Sequence, residues 1–161
     1  MHRRTLAAAA VCLGGLLCLR LWVLEPITVS SVSMEPTIAA GSVVWLNKVA
    51  PHVADIRSGQ LVVFREPDGG GWRDGGILLK RVVAEGGQTV SVLDGLLYVD
   101  GAPANEPYVD QKTIDGVYFG PVTVPPGELF VLGDNRETSI DSRDFGPIPV
   151  SAVIGTVPGG N

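Results

Sequence analysis

With 161 residues the chain has room for one domain, and a hydrophobic content of 45% is ample for a core. The formal charge of −5 conceals an asymmetry: residues 1–24 carry Arg3, Arg4 and Arg20 and no acid, which leaves nine basic against 17 acidic side chains, or −8, in the rest. An acidic body has no electrostatic reason to bind nucleic acid. Cys12 and Cys18 both fall in the apolar N-terminal segment, so the remainder has neither a disulfide nor a cysteine metal site. His2 and His52 are too few and too scattered for a metal cluster.

In chain order, Thr5 to Leu24 comes first. These 20 residues would span about 30 Å as a helix, the thickness of a bilayer core. Arg20, near one end, can snorkel to the headgroups. Arg3, Arg4 and the amino terminus form a positive cytoplasmic flank, which places the C-terminal body outside the membrane. A cleaved secretory signal is the alternative, but Arg20-Leu21-Trp22-Val23-Leu24-Glu25 offers no small-x-small site, and Trp22 suits an interface. The expectation is an uncleaved anchor over residues 1–25 and an exterior domain over 26–161.

Beyond Pro26 the chain reads as short strands between strong turns. Strands are expected at Val43–Leu46, Leu61–Phe64, Ile77–Val83, Thr89–Leu93, Leu96–Val99, Leu129–Leu132 and Val153–Val157. Turns are expected at Pro67–Gly71, Glu85–Gly87, Asp94-Gly95, Asp100-Gly101, Asp115-Gly116 and Pro125–Gly127, with Asp94-Gly95 a two-residue hairpin signal. No stretch after residue 26 keeps a 3.6-residue apolar period over ten positions. The body is expected to be all-β.

Ser33 lies shortly after the anchor in Ser31-Val32-Ser33-Met34-Glu35-Pro36-Thr37. A serine hydroxyl needs a group to take its proton. Histidine is badly placed: His2 is on the wrong side of the membrane, and His52 sits in a proline-containing loop. Lysine can serve if its pKa, near 10.4, falls by about three units, a bias of roughly 4 kcal/mol toward the neutral amine. In Ile77-Leu78-Leu79-Lys80-Arg81-Val82-Val83, alternation puts Lys80 on one face with Leu78 and Val82, and Arg81 on the other with Leu79. Two aliphatic neighbours suit a desolvated base, although a lysine near a strand end more commonly snorkels outward, and alternation alone leaves both open. Lys48 and Lys112 sit in polar, loop-like settings. Pro36 holds Glu35 extended, and Val29 to Ser33 are β-branched or small, so Ser33 is expected at a strand end. The Ser33 N–H and the Ser31 hydroxyl are candidate oxyanion donors.

These blocks, with Gly59-Gln60-Leu61-Val62-Val63-Phe64, Lys80-Arg81 and Gly133-Asp134-Asn135-Arg136 through Ser139, Asp141, Ser142, Arg143 and Phe145-Gly146, resemble bacterial type I signal peptidase. They span residues 26 to about 157 in the family's order, and the compact exterior resembles Gram-positive or actinobacterial members with one anchor. The resemblance implies a mostly antiparallel, β-barrel-like body of the signal peptidase and self-cleaving repressor type. It implies a Ser/Lys endopeptidase that cuts exported precursors after a small-x-small motif, with Ser33 as nucleophile and Lys80 as general base. Ser31 matches the oxyanion side chain, Ser139 the serine that holds the lysine amine, and Asp141 with Arg143 a supporting ion pair. Asp134, Asn135 and Arg136 match a motif read as structural. Gln60 stands where aspartate is common, in a turn, and the small excursion between Glu85 and Val122 leaves no room for a large accessory domain.

Substrate is expected to add as a strand beside Ser31–Ser33 or Leu78–Lys80, with Met34, Leu78 and Leu79 forming shallow pockets for alanine-sized side chains. No cofactor or metal is required. The expected partners are secreted precursors and membrane lipid, and the enzyme is expected to be a monomer in the plasma membrane with its catalytic domain outside the cell. A relative trimming one dedicated partner, a self-cleaving DNA-binding repressor and a non-catalytic anchored β-domain are the rival readings; the anchor and the acidic body weigh against the repressor.

Overall fold

The computed structural model describes residues 14–15, 23–66, 76–110 and 118–159. Strand β1 spans Leu24–Thr28, β2 Val43–Asn47, β3 Leu61–Arg65, β4 Ile77–Glu85, β5 Thr89–Leu93, β6 Leu96–Val99, β7 Ala102–Pro103, β8 Phe119–Thr123, β9 Glu128–Leu132, β10 Ile148–Pro149 and β11 Val153–Val157. The helices Ala50–Val53 and Ser142–Phe145 are single turns. The body is all-β, and every strand pairing is antiparallel.

The strands form two sheets rather than one barrel-like sheet. The larger runs β1-β2-β11-β3-β4-β9-β10, and the smaller β7-β6-β5-β8. The excursion after Glu85 pairs with itself: β5 takes β6 on one side and β8 on the other. Asp94 and Gly95 both have positive φ, 56° and 76°, as a two-residue turn that matches strand twist requires.

Strand β3 explains how the core is laid. Leu61, Val62, Val63 and Phe64 are all buried, a continuous apolar run with no polar face. Val62 and Phe64 join Val82, Leu129, Val131, Ile148 and Val153 in one cluster. Leu61 and Val63 join Val29, Met34, Ile38, Leu46 and Val157 in another, on the opposite face. A third cluster, with Val90, Val92, Leu97 and Phe130, lies under the smaller sheet.

The seven expected strands are present, several of them a residue or two longer. Four strands were not expected: β1, β7, β8 and β10. Each contains a proline (Pro26, Pro103, Pro121 and Pro149), and each ends a sheet. Proline cannot donate to a ladder, so it breaks the strand pattern in sequence and is tolerated only at an edge.

The expected anchor lies outside the described residues except for Gly14, Gly15 and Val23–Glu25, and Leu24 and Glu25 belong to β1. Among the described residues no helix is long and apolar enough to cross a membrane. His2, Cys12, Cys18, Arg20, Lys112 and the turns at Pro67–Gly71 and Asp115-Gly116 also lie outside the described residues.

Candidate active site

Ser33 is not at a strand end. It lies five residues beyond β1, in a turn held by Glu35 N–H to Val32 C=O at 3.1 Å and Ile38 N–H to Met34 C=O at 2.9 Å. The apolar side chain of Met34 is fully buried in the core beneath this turn, and that burial fixes where the turn sits. Strand β4 brings Lys80 up to it. Lys80 stands opposite Val62, and Leu78 opposite Phe64, so the expected face is the one observed.

Lys80 Nζ lies 2.8 Å from Ser33 Oγ, across 47 residues of sequence. Both side chains are buried, Lys80 to 3% exposure and Ser33 to 7%. Burial lowers the lysine pKa from 10.5 to about 8. The negative charge of Asp141 opposes that shift, and the positive charge of Arg143 assists it.

Ser31 Oγ accepts a hydrogen bond from Ser33 N–H at 3.0 Å, so the two expected oxyanion donors are bonded to each other. The hydroxyl hydrogen of Ser31 is left to point elsewhere. Ser139 is buried beside Gly133, but its Oγ makes no hydrogen bond among the described residues, so the expected contact with the lysine amine is not made. Asp141 is fully buried. It accepts from Arg143 Nε at 2.9 Å and from Gly133 N–H at 3.0 Å, and it caps the single turn Ser142–Phe145.

The loop after β9 wraps the Ser33 turn. Asn135 N–H donates to Ser33 C=O at 3.1 Å, and its Nδ2 to Val32 C=O at 3.3 Å. Asp134 takes both the Nε and an Nη of Arg81, at 2.8 and 2.7 Å. Gly133 admits no side chain, because a Cβ there would lie 2.6 Å from Ser33 O and collide with Ser139.

A cavity of about 380 Å³ opens on the Ser33–Lys80 pair. Ser31, Met34, Leu78 and Leu79 line it, together with Ile27, Val29 and Val63. Thr138 and Ile140 also line it, and nothing in the sequence around them marks them apart from the motif positions on either side. Along the cavity, Ile77–Lys80 pair with β3 on one side, while β9 pairs only from Arg81 onward. Among the described residues that length of β4 is therefore a free strand edge.

The remaining candidates stand apart. Lys48 forms a half-exposed ion pair with Glu25 at 2.9 Å. His52 is exposed on the single-turn helix Ala50–Val53 rather than in a loop. Gln60 closes a turn, its Oε1 accepting from Arg57 N–H at 2.8 Å.

Comparison with known proteins gives this arrangement a family. The family described as "Signal peptidase, peptidase S26" matches residues 2–158. The probable signal peptidase I-1 of Synechocystis is 39% identical over 143 residues, covering 86% of this chain and 71% of the relative. The signal peptidase I of Bacillus caldolyticus is 34% identical over 160 residues, covering 92% and 84%. Among solved structures, a signal peptidase I from Enterococcus faecalis matches with a TM-score of 0.54 and 30% identity, over 65% of this chain and 97% of that one. The chain is a hydrolase of the serine endopeptidase class. It belongs to the signal peptidase family S26.

Proposed function

We propose that the protein is a membrane-anchored signal peptidase in which Ser33 is the nucleophile and Lys80 the general base. The observation that carries this reading is the 2.8 Å contact between two buried side chains, one an amine whose pKa is held near 8. At pH 7 roughly one such amine in ten is neutral, against fewer than about one in a thousand for an ordinary lysine.

The neutral amine accepts the Ser33 proton as Oγ attacks the scissile carbonyl carbon. The developing oxyanion is met by the Ser31 hydroxyl, whose Oγ is held by the Ser33 N–H so that its hydrogen can turn toward the substrate. Lys80, now an ammonium, protonates the departing amine, and the acyl-enzyme remains. Lys80 then takes a proton from water, the hydroxide attacks the ester, and Ser33 regains its proton as the product acid leaves. Asp141 and Arg143 tune the charge around the amine, and Ser139 packs beside Gly133.

The free edge of β4 supports an extended substrate bound by main-chain hydrogen bonds. Met34, Leu78 and Leu79 line a small apolar cavity that suits alanine-sized side chains and turns away larger ones. The substrates on this reading are secreted precursors, cut after a small-x-small motif. The apolar run that begins at Thr5 and ends before β1, behind Arg3 and Arg4, supports one membrane span with the amino terminus in the cytoplasm and the catalytic body outside. There the monomer meets signal peptides still embedded in lipid.

The test is cleavage of a precursor peptide with an Ala-x-Ala site by the full-length chain and by Ser33→Ala. Cleavage by the wild type and none by the variant is the expected result. Turnover by Ser33→Ala at the wild-type rate would remove the nucleophile from the mechanism.

A further inference from the structure

Seen from the catalytic pair, the far side of β4 and the loop after β9 carry an ionic cluster whose outer half comes from the smaller sheet. The segment 104–110, which follows β7, contributes Glu106 and Tyr108. Glu106 takes both Nη atoms of Arg136, at 2.9 and 2.5 Å, in a two-pronged pair with the arginine 3% and the glutamate 11% exposed. The Tyr108 hydroxyl donates to Glu106 at 3.1 Å. The Tyr108 ring lies 3.7 Å from the Arg81 guanidinium carbon.

Both arginines lead inward. Arg136 Nε donates to Gly133 C=O at 3.0 Å. Gly133 in turn packs against Ser33 C=O so closely that no side chain fits between them, and its N–H is held by Asp141. Arg81 adjoins Lys80 on β4 and is clamped to Asp134, the residue after Gly133.

We propose that Glu106, braced by Tyr108, is a positioning residue for the Ser33–Lys80 pair: it fixes Arg136, and through Arg136 the Gly133 main chain against which the Ser33 turn rests. This rests on the Ser33–Lys80 reading above. It gives the smaller sheet a part in catalysis, as the platform that presents segment 104–110. Glu106 touches no reacting atom. Its effect is on alignment, and a small misplacement of reacting groups is enough to cost up to about 100-fold in rate.

The experiment compares full-length wild type with Glu106→Gln and with the apolar pair Glu106→Leu, Arg136→Met, using an Ala-x-Ala precursor peptide well below each Tm. Glu106→Gln keeps the shape and loses the charge. Its kcat is expected to fall by roughly tenfold or more, with KM within about twofold of wild type. The apolar pair removes the buried ions together, so its Tm is expected to stay near wild type, while kcat stays low because Gly133 C=O has lost its donor. Wild-type kcat in either folded variant, with only Tm altered, would reduce the cluster to a stabilising one and overturn the proposal. Ser33→Ala runs in parallel: activity there defeats the nucleophile assignment, whereas inactivity there beside full activity in the Glu106 variants defeats only the positioning role.

Discussion

Lys80 and Arg81 are neighbours on one strand, both cations and both almost wholly buried, yet the two faces of β4 treat them in opposite ways. Arg81 is given an anion. Asp134 meets it with two hydrogen bonds, Gly59 C=O with a third at 2.8 Å, and the Tyr108 ring covers it. Lys80 stands on an aliphatic face, and its hydrogen bond goes to a neutral hydroxyl. Burial alone therefore does not make a base. A buried cation in contact with an anion becomes structure, and one whose desolvation outweighs the pull of more distant carboxylates becomes willing to lose its proton.

The comparison breaks first at Lys80. The shift from 10.5 to about 8 means that folding disfavours the charged amine by roughly 3 kcal/mol. Between about pH 8 and 10.5 the unfolded chain binds more protons than the folded one, so this contribution to stability rises with pH across that window. Lys80→Met is therefore expected to lose roughly 10³-fold or more in kcat/KM while becoming more stable at pH 7, by about 1–3 kcal/mol in denaturant titration. Loss of both activity and stability would mean that Lys80 is held as an ammonium.

Arg81→Met is the opposite case. It leaves the Asp134 carboxylate buried without its bidentate partner, and unfolding experiments are expected to show a loss of about 3–5 kcal/mol. A smaller effect follows at the seam between the two faces. Gly133→Ala forces a methyl group against Ser33 O, and a cost of about 1–3 kcal/mol with reduced kcat is expected from thermal melts and peptide assays. The smallest effect sharpens the comparison without breaking either face. Arg143→Gln removes a positive charge that helps keep Lys80 neutral and leaves Asp141 to act unopposed, so the acidic limb of the pH–kcat/KM curve is expected to move to higher pH.

How far the sequence reveals this molecule depends on whether its signals are local. The central strands announce themselves, because β3 and β4 carry aliphatic runs that only a doubly covered strand can bury. The sheet edges do not, since Pro26, Pro103, Pro121 and Pro149 look like breaks until the ladder they terminate is visible. At the site, alternation alone sets Lys80 apart from Arg81. The Ser33 turn reads as a strand end in sequence because its shape comes from the buried Met34 and from Asn135, more than 100 residues away. Nothing near Glu106 or Tyr108 marks them. Arg136 lies 30 residues after Glu106, and Arg81 lies well before Tyr108 on the larger sheet, so only the folded chain brings these residues together.

The most direct measurement is the titration of the Lys80 amine itself, followed through its ¹³Cε NMR shift in the lysine-labelled protein and assigned by loss of the signal in Lys80→Met. The account predicts a midpoint near pH 8. A midpoint at the ordinary 10.5 would contradict it, because it would leave almost no neutral amine at pH 7 to accept the Ser33 proton.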